Sequence, residues 1–319
     1  MKEFYFLSSD GKTDIHCQMW VPEEPKTILQ IIHGMNEYID RYHGFAEWLC
    51  DRGILVVGDD HIGHGLSVKS KSEYGYFGHK DGWKYMIHDE HKLRMKVQEE
   101  YPDLPYIMLG HSFGSFLMRG YLGKEDVTGL SGSIVMGTAG TNPSLGAGLA
   151  LTQFLRSLEG ERTRSRLITM LAFGSYNKRI KNPCNTYAWL TRDEEICLAA
   201  PKDEKYHHLF TLAGYEDMFR VLDYVNSSKW YEEVPKDLPI LICSGWEDPV
   251  GNYGVGPAEV TEKLQDSGHN VNMVLYEEMR HEILNEIGKE AVWEDMLGYI
   301  LDMADGVCDA ERGFDCQFE

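Results

Sequence analysis

Residues 106–115 read Tyr-Ile-Met-Leu-Gly-His-Ser-Phe-Gly-Ser. An apolar run enters Gly110-His111-Ser112-Phe113-Gly114, and a helix-like segment leaves it. A serine flanked by glycines at this spacing forms a nucleophile elbow, a sharp strand-to-helix turn that exposes the hydroxyl above a sheet. Such a turn needs a strand before it, a helix after it and a sheet around it. It also sets an order of partners: a carboxylate and then a histidine, each after a later strand.

The rest of the chain supplies that sheet. Eight strands are predicted: Glu3–Leu7, Asp14–Trp20, Thr27–Ile32, Ile54–Asp59, Tyr106–Leu109, Gly132–Met136, Ile240–Ser244 and Val271–Tyr276. The first two flank the turn cluster Ser8-Ser9-Asp10-Gly11-Lys12 and read as an antiparallel hairpin. From the third strand onward, helical stretches intervene at Tyr42–Arg52, Gly82–Glu100, Phe113–Leu122, Pro257–Ser267 and Glu286–Met303. This alternation predicts an α/β fold with an eight-stranded, mostly parallel sheet covered on both faces.

The alternation breaks between the sixth and seventh strands, where helical patterns run on without a strand. The division is therefore a core at 1–140 and 231–304, a helical cap or lid at 141–230, and a peripheral tail at 305–319.

A serine hydroxyl becomes a nucleophile only with a base in reach, a carboxylate behind that base and donors for the oxyanion. The seventh strand runs into Glu247-Asp248-Pro249-Val250, which makes Asp248 the candidate orienting acid and Glu247 its competitor. The eighth strand leads to His281, the candidate base. The turn after the third strand, His33-Gly34-Met35-Asn36-Glu37-Tyr38, offers the Met35 N–H as one oxyanion donor. The Phe113 N–H, at the start of the elbow helix, is the second.

On these stretches the chain resembles the α/β-hydrolase superfamily. More narrowly, it is similar to the monoacylglycerol lipase and lysophospholipase group filed with the serine aminopeptidases. Asp60-His61-Ile62-Gly63-His64-Gly65-Leu66-Ser67 and Arg280-His281-Glu282-Ile283-Leu284-Asn285-Glu286 add to the likeness, as does Asn185–Asp193 within the insertion. Tyr38 departs from it, standing where many relatives carry histidine. The resemblance implies hydrolysis of a carboxylic ester, with monoacylglycerol, lysophospholipid or a related acyl ester as substrate. Two other readings are an aminopeptidase of the proline iminopeptidase type, for which Asp193, Glu194 and Glu195 would hold an amino group, and a non-catalytic ligand-binding protein.

Charge narrows the partners. A net charge of −20 argues against nucleic acid. Within 151–181, however, seven cations (Arg156, Arg162, Arg164, Arg166, Lys178, Arg179 and Lys181) face only Glu159 and Glu161. This basic segment also carries Leu149, Leu151, Phe154, Leu155, Leu158, Leu167, Ile168, Met170, Leu171 and Phe173. One apolar stripe should pack inward and line an acyl pocket, and transient contact with a lipid interface through the cap is a further expectation.

No run approaches ~18 apolar residues, and Met1–Leu7 reads as a strand rather than a signal peptide. The seven cysteines are scattered without a C-x-x-C, which points to free thiols in a reducing, cytoplasmic setting. No cofactor is expected, since neither a dinucleotide fingerprint nor a P-loop occurs. No metal site is expected either: His88-Asp89-Glu90-His91 reads as a charged helix, His61 and His64 as structural, and His207-His208 lacks cysteine partners.

Overall fold

The computed structural model describes residues 1–206 and 208–307. The predicted tail lies mostly outside this range, as do His207, Cys308 and Cys316.

Eight strands form one sheet in the order β1-β2-β4-β3-β5-β6-β7-β8. They are β1 (Lys2–Leu7), β2 (Asp14–Trp20), β3 (Thr27–Ile32), β4 (Ile54–Asp59), β5 (Tyr106–His111), β6 (Leu130–Met136), β7 (Ile240–Gly245) and β8 (Val271–Tyr276). β1 and β2 pair antiparallel, β2 pairs antiparallel with β4, and every later pairing is parallel.

The central strands read as unbroken apolar runs because both of their faces are covered. Period-two alternation sends Ile28, Leu55, Val57, Met108 and Ile242 to one face, and Leu29, Ile31, Val56, Leu109 and Leu241 to the other. Helices α1 (His43–Cys50) and, at the chain's end, α10 (Lys289–Ala304) cover the second face through Phe45, Leu49, Val292 and Met296. Helices α2 (Gly82–Glu100) and α3 (Phe113–Leu122) cover the first through Met86, Leu93, Val97 and Leu117. Each such aliphatic side chain contributes ~1.5–3 kcal/mol on burial.

Between β6 and β7 stand α4 (Leu145–Glu159), α5 (Arg166–Phe173), α6 (Glu194–Ala199), α7 (Leu212–Val225) and α8 (Ser228–Glu233). α7 is the anchor of this group, since Leu212, Tyr215, Val221 and Val225 are buried in the same core as α2 and α3. α9 (Val255–Asp266) follows β7. No helix among the described residues is long and apolar enough to cross a membrane.

The insertion departs from the simple pattern in two ways. Its apolar residues divide: Ile168 is buried and Leu151, Leu155 and Phe173 pack on the core, whereas Phe154, Leu158, Met170 and Leu171 are 59–67% exposed. Nor do all of its cations form a free face, although Arg166, Lys178, Arg179 and Lys181 are exposed. Arg156 pairs with Glu216 at 2.7 Å and Glu161 at 3.0 Å. Arg164 donates to the carbonyls of Tyr74 and Leu209, and Arg162 stacks on Tyr76.

Candidate active site

Strand β5 ends at His111, and Ser112 turns the chain into α3 with φ 54° and ψ −120°. Positive φ is costly for a residue with a Cβ, by ~1–3 kcal/mol, so the surroundings must hold it there. They do so by packing. A Cβ on Gly114 would lie 2.1 Å from the Ile32 carbonyl oxygen, and one on Gly110 would lie 2.4 Å from that of Gly114. Only glycine lets β3, β5 and α3 approach this closely. The Ser112 N–H donates to Met136 O at 2.9 Å, which ties the turn to β6.

Asp248 sits in the loop after β7 and is fully buried. Its Oδ1 accepts the Val250 N–H at 2.8 Å, and its Oδ2 accepts the Ser244 hydroxyl at 3.1 Å. The same Oδ2 lies 2.8 Å from His281 Nδ1. A carboxylate there makes Nδ1 the donor and leaves Nε2 as the lone-pair nitrogen. His281 Nε2 has no hydrogen-bond partner among the described residues. Glu247, the competing acid, is exposed.

Ser112, His281, Met35 and Phe113 all line one cavity of about 1010 Å³ between the sheet end and the insertion. The Phe113 N–H opens α3, where no acceptor exists within the helix. In the turn after β3, the Gly34 N–H is already committed to Glu37 Oε2 at 2.6 Å.

That glutamate belongs to a buried network beneath the cavity. Arg41 pairs with Glu37 at 2.5 Å and forks onto both oxygens of Glu282 at 2.9 Å. Tyr42 OH donates to Glu37 at 2.9 Å, and His111 Nδ1 lies 3.0 Å from it. The His111 Nε2 side faces His281 O at 3.3 Å. Burial opposes charge at Glu37, but His111 and Arg41 outweigh it and hold the carboxyl far below its usual range. Burial likewise lowers His111, and Glu37 reverses this and raises it. The network thus joins the β3 turn, the elbow and the His281 loop. Tyr206 of the insertion joins it too, with its OH 3.1 Å from Glu282 and its ring under Arg41. The insertion also touches the β3 turn through Asn36, which donates to His208 O, and through Tyr38, which donates to Asp203.

Among the described residues, one group has metal-ligand geometry: Asp59, His61 and Glu90, all buried. His61 Nδ1 lies 2.9 Å from Asp59 and 3.2 Å from Glu90. Burial alone would lower His61, yet the two carboxylates raise it to about 10. Burial and Asp59 together raise Glu90. The His61 ring thus stands between two buried acids, and burial drives one of them, Glu90, toward its neutral form. The neighbouring His88 and His91 turn to different partners, Glu125 and Tyr121.

The acids considered for holding an amino group do not reach the cavity. Asp193 caps α6 through the Glu195 and Ile196 N–H groups, and Glu194 and Glu195 are exposed. The carboxylates that do line it are Glu37, Glu259 and Glu282. Two of these share Arg41, and Glu259 pairs with Lys263 at 2.6 Å.

Comparison with known proteins adds a family. The model described as serine aminopeptidase, S33, matches residues 23–288. The monoacylglycerol lipase of Mycolicibacterium smegmatis is 25% identical over 299 residues, which is 91% of this chain and 94% of that protein. Mouse monoglyceride lipase is 31% identical over 111 residues, 34% of each chain. Among solved structures, a thermostable carboxyl esterase from Bacillus coagulans in complex with glycerol superposes with a TM-score of 0.89. That match is 31% identical and covers 97% of this chain and 99% of the other.

Proposed function

The chain belongs to the serine aminopeptidase S33 family of α/β-hydrolases, and from that footing we propose that it cleaves monoacylglycerols or closely related acyl esters with Ser112, His281 and Asp248 as its triad. It is a serine ester hydrolase. The reading of its substrate and machinery is supported above all by one observation. The buried Asp248–His281 pair presents an unpartnered Nε2, and Ser112 and His281 line the same largely apolar cavity.

The chemistry then runs as follows. Ser112 Oγ attacks the ester carbonyl while His281 Nε2 takes its proton. Asp248 holds the ring and stabilises the imidazolium. The Met35 and Phe113 N–H groups receive the oxyanion, each worth ~3–4 kcal/mol of barrier. Collapse expels the alcohol, which His281 protonates, and water repeats the sequence on the acyl-enzyme. Phe116, Met218, Phe219 and Leu222 line the cavity and suit an acyl chain. The insertion acts as the cap of this site. Its exposed Phe154, Leu158, Met170 and Leu171 suit transient contact with a lipid surface.

A peptidase would need an unpaired carboxylate in the cavity to hold a substrate amine, and each cavity-lining carboxylate named above is already paired. The test compares kcat/KM for monooleoylglycerol, lysophosphatidylcholine, p-nitrophenyl esters of rising chain length and proline p-nitroanilide. Monoacylglycerol should rank first and the anilide should be slower by at least ~10³-fold. A preference for the anilide, or a sharp optimum at acetate, would overturn the proposed substrate class.

A further inference from the structure

The insertion holds a second reactive arrangement that ester hydrolysis does not use. Cys184 Sγ and Cys197 Sγ lie 2.6 Å apart, in direct contact. Both are free thiols; Cys184 is exposed and Cys197 is buried at α6. A disulfide needs ~2.05 Å, so about half an ångström separates this pair from a covalent bond. The base of the intervening segment is already closed without one. Asn185 Nδ2 donates to Cys197 O at 2.8 Å, and Cys197 Sγ lies 3.2 Å from Asn185 Oδ1.

The segment between the two cysteines is a strap over the His281 loop. The Glu282 N–H donates to Leu190 O at 2.7 Å. Arg280 reaches back to the carbonyls of Ala188 and Thr191 at 2.6 and 3.0 Å. Arg192 pairs with Glu286 at 3.1 Å and Glu278 at 3.0 Å. The Trp189 ring packs 5.1 Å from the His281 ring, centroid to centroid. Closing the base of this strap therefore constrains the backbone that holds the base of the triad.

We propose that Cys184 and Cys197 form a reversible intramolecular disulfide that locks the strap against the His281 loop. The oxidant is a small-molecule disulfide. The Cys184 thiolate attacks one of its sulfurs, the S–S bond of the oxidant breaks and one thiol leaves. The Cys197 thiolate then attacks Cys184 Sγ and expels the second thiol. The protein loses two electrons and two protons, and the oxidant becomes two thiols. Exposure decides the order, because only Cys184 is within reach of an external molecule. Burial and the neighbouring sulfur raise the Cys197 thiol, which leaves the first attack to Cys184.

The test needs no substrate and is independent of the proposed triad. The full-length protein is incubated with oxidised glutathione and denatured, and its thiols are counted and mapped by peptide mass spectrometry. Two of the seven thiols should disappear, with one cross-linked peptide pair joining Cys184 to Cys197. Dithiothreitol should restore both. The oxidised protein should melt a few degrees higher, roughly 3–8 °C. Cys184→Ser should form no intramolecular bond and should show no oxidant-dependent Tm shift. Retention of all seven thiols, a stable glutathione adduct on Cys184 without closure, or a bond to any other cysteine would each overturn the proposal.

Discussion

The sheet end and the insertion meet at one cavity but are held by different forces. At the sheet end, close backbone packing sets the strands and the elbow, and the buried Glu37–Arg41–Glu282 network ties their loops together. Strands buried on both faces carry the loops, and Gly110 and Gly114 allow approaches that a single methyl group would block. In the insertion, positions are set by side chains: Arg164 on carbonyls, Arg156 on two glutamates, Arg192 on two more. Helices α5 and α6 are only 8 and 6 residues long and could not stand alone. The proposed chemistry lies in the region that tolerates no displacement. The proposed control of substrate choice lies in the region whose side-chain contacts can be exchanged.

The proposed triad carries the largest effect. Ser112→Ala, His281→Ala and Asp248→Asn should each lower kcat by ~10⁴-fold or more on any ester, with little change in Tm. A small loss, or one confined to long-chain esters, would place the chemistry elsewhere. Gly114→Ala should cost about 1–3 kcal/mol or prevent folding, as read by urea denaturation, because its Cβ has no room beside Ile32 O.

A third test uses pH. His33 opens the turn after β3, is buried, and stacks on His61 with ring centroids 3.8 Å apart. Its Nε2 accepts the His61 backbone N–H, so protonation there breaks a bond. Burial, and then the charge on His61, lower it to about 4. A depressed pKa gives stability that is complete above the unfolded value of ~6.5 and is lost as pH falls through about 4. That loss should reach about 3 kcal/mol in denaturant titrations across this window, and it should be absent in His33→Gln. An equal acid dependence in the variant would remove His33 from the account.

The smallest expected effect is at the cap rim. Met170→Ser with Leu171→Ser should change stability by no more than ~0.5 kcal/mol, since both are exposed. The pair should raise KM several-fold for vesicle-borne monoacylglycerol and leave p-nitrophenyl acetate unchanged. Equal effects on both substrates would argue against an interface role.

Much of the sheet end was legible because its signals are local. Apolar runs punctuated by glycine and proline marked all eight strands, and the elbow's glycine spacing has a steric cause confined to a few neighbours. The network of Glu37, Arg41 and Glu282 was not legible as a network, since Glu282 stands 241 positions from Arg41 and the two converge only through the sheet. Glu90 was missed for another reason. A charged helix resembles a solvated one, yet Met86, Glu90, Leu93 and Val97 fall on one face of α2, and all four are buried. An acid standing on an apolar stripe was the available signal. In α4 the stripes Leu151/Leu155 and Phe154/Leu158 are equally apolar, and which one faces inward depends on α7, a partner that periodicity does not identify.

Whether Ser112 is the nucleophile is read by covalent labelling with a fluorophosphonate, followed by intact-protein and peptide mass spectrometry. One adduct is expected, on Ser112, absent in Ser112→Ala and formed at least ~10³-fold more slowly in His281→Ala. An adduct on another serine, or unchanged labelling in His281→Ala, would contradict that role.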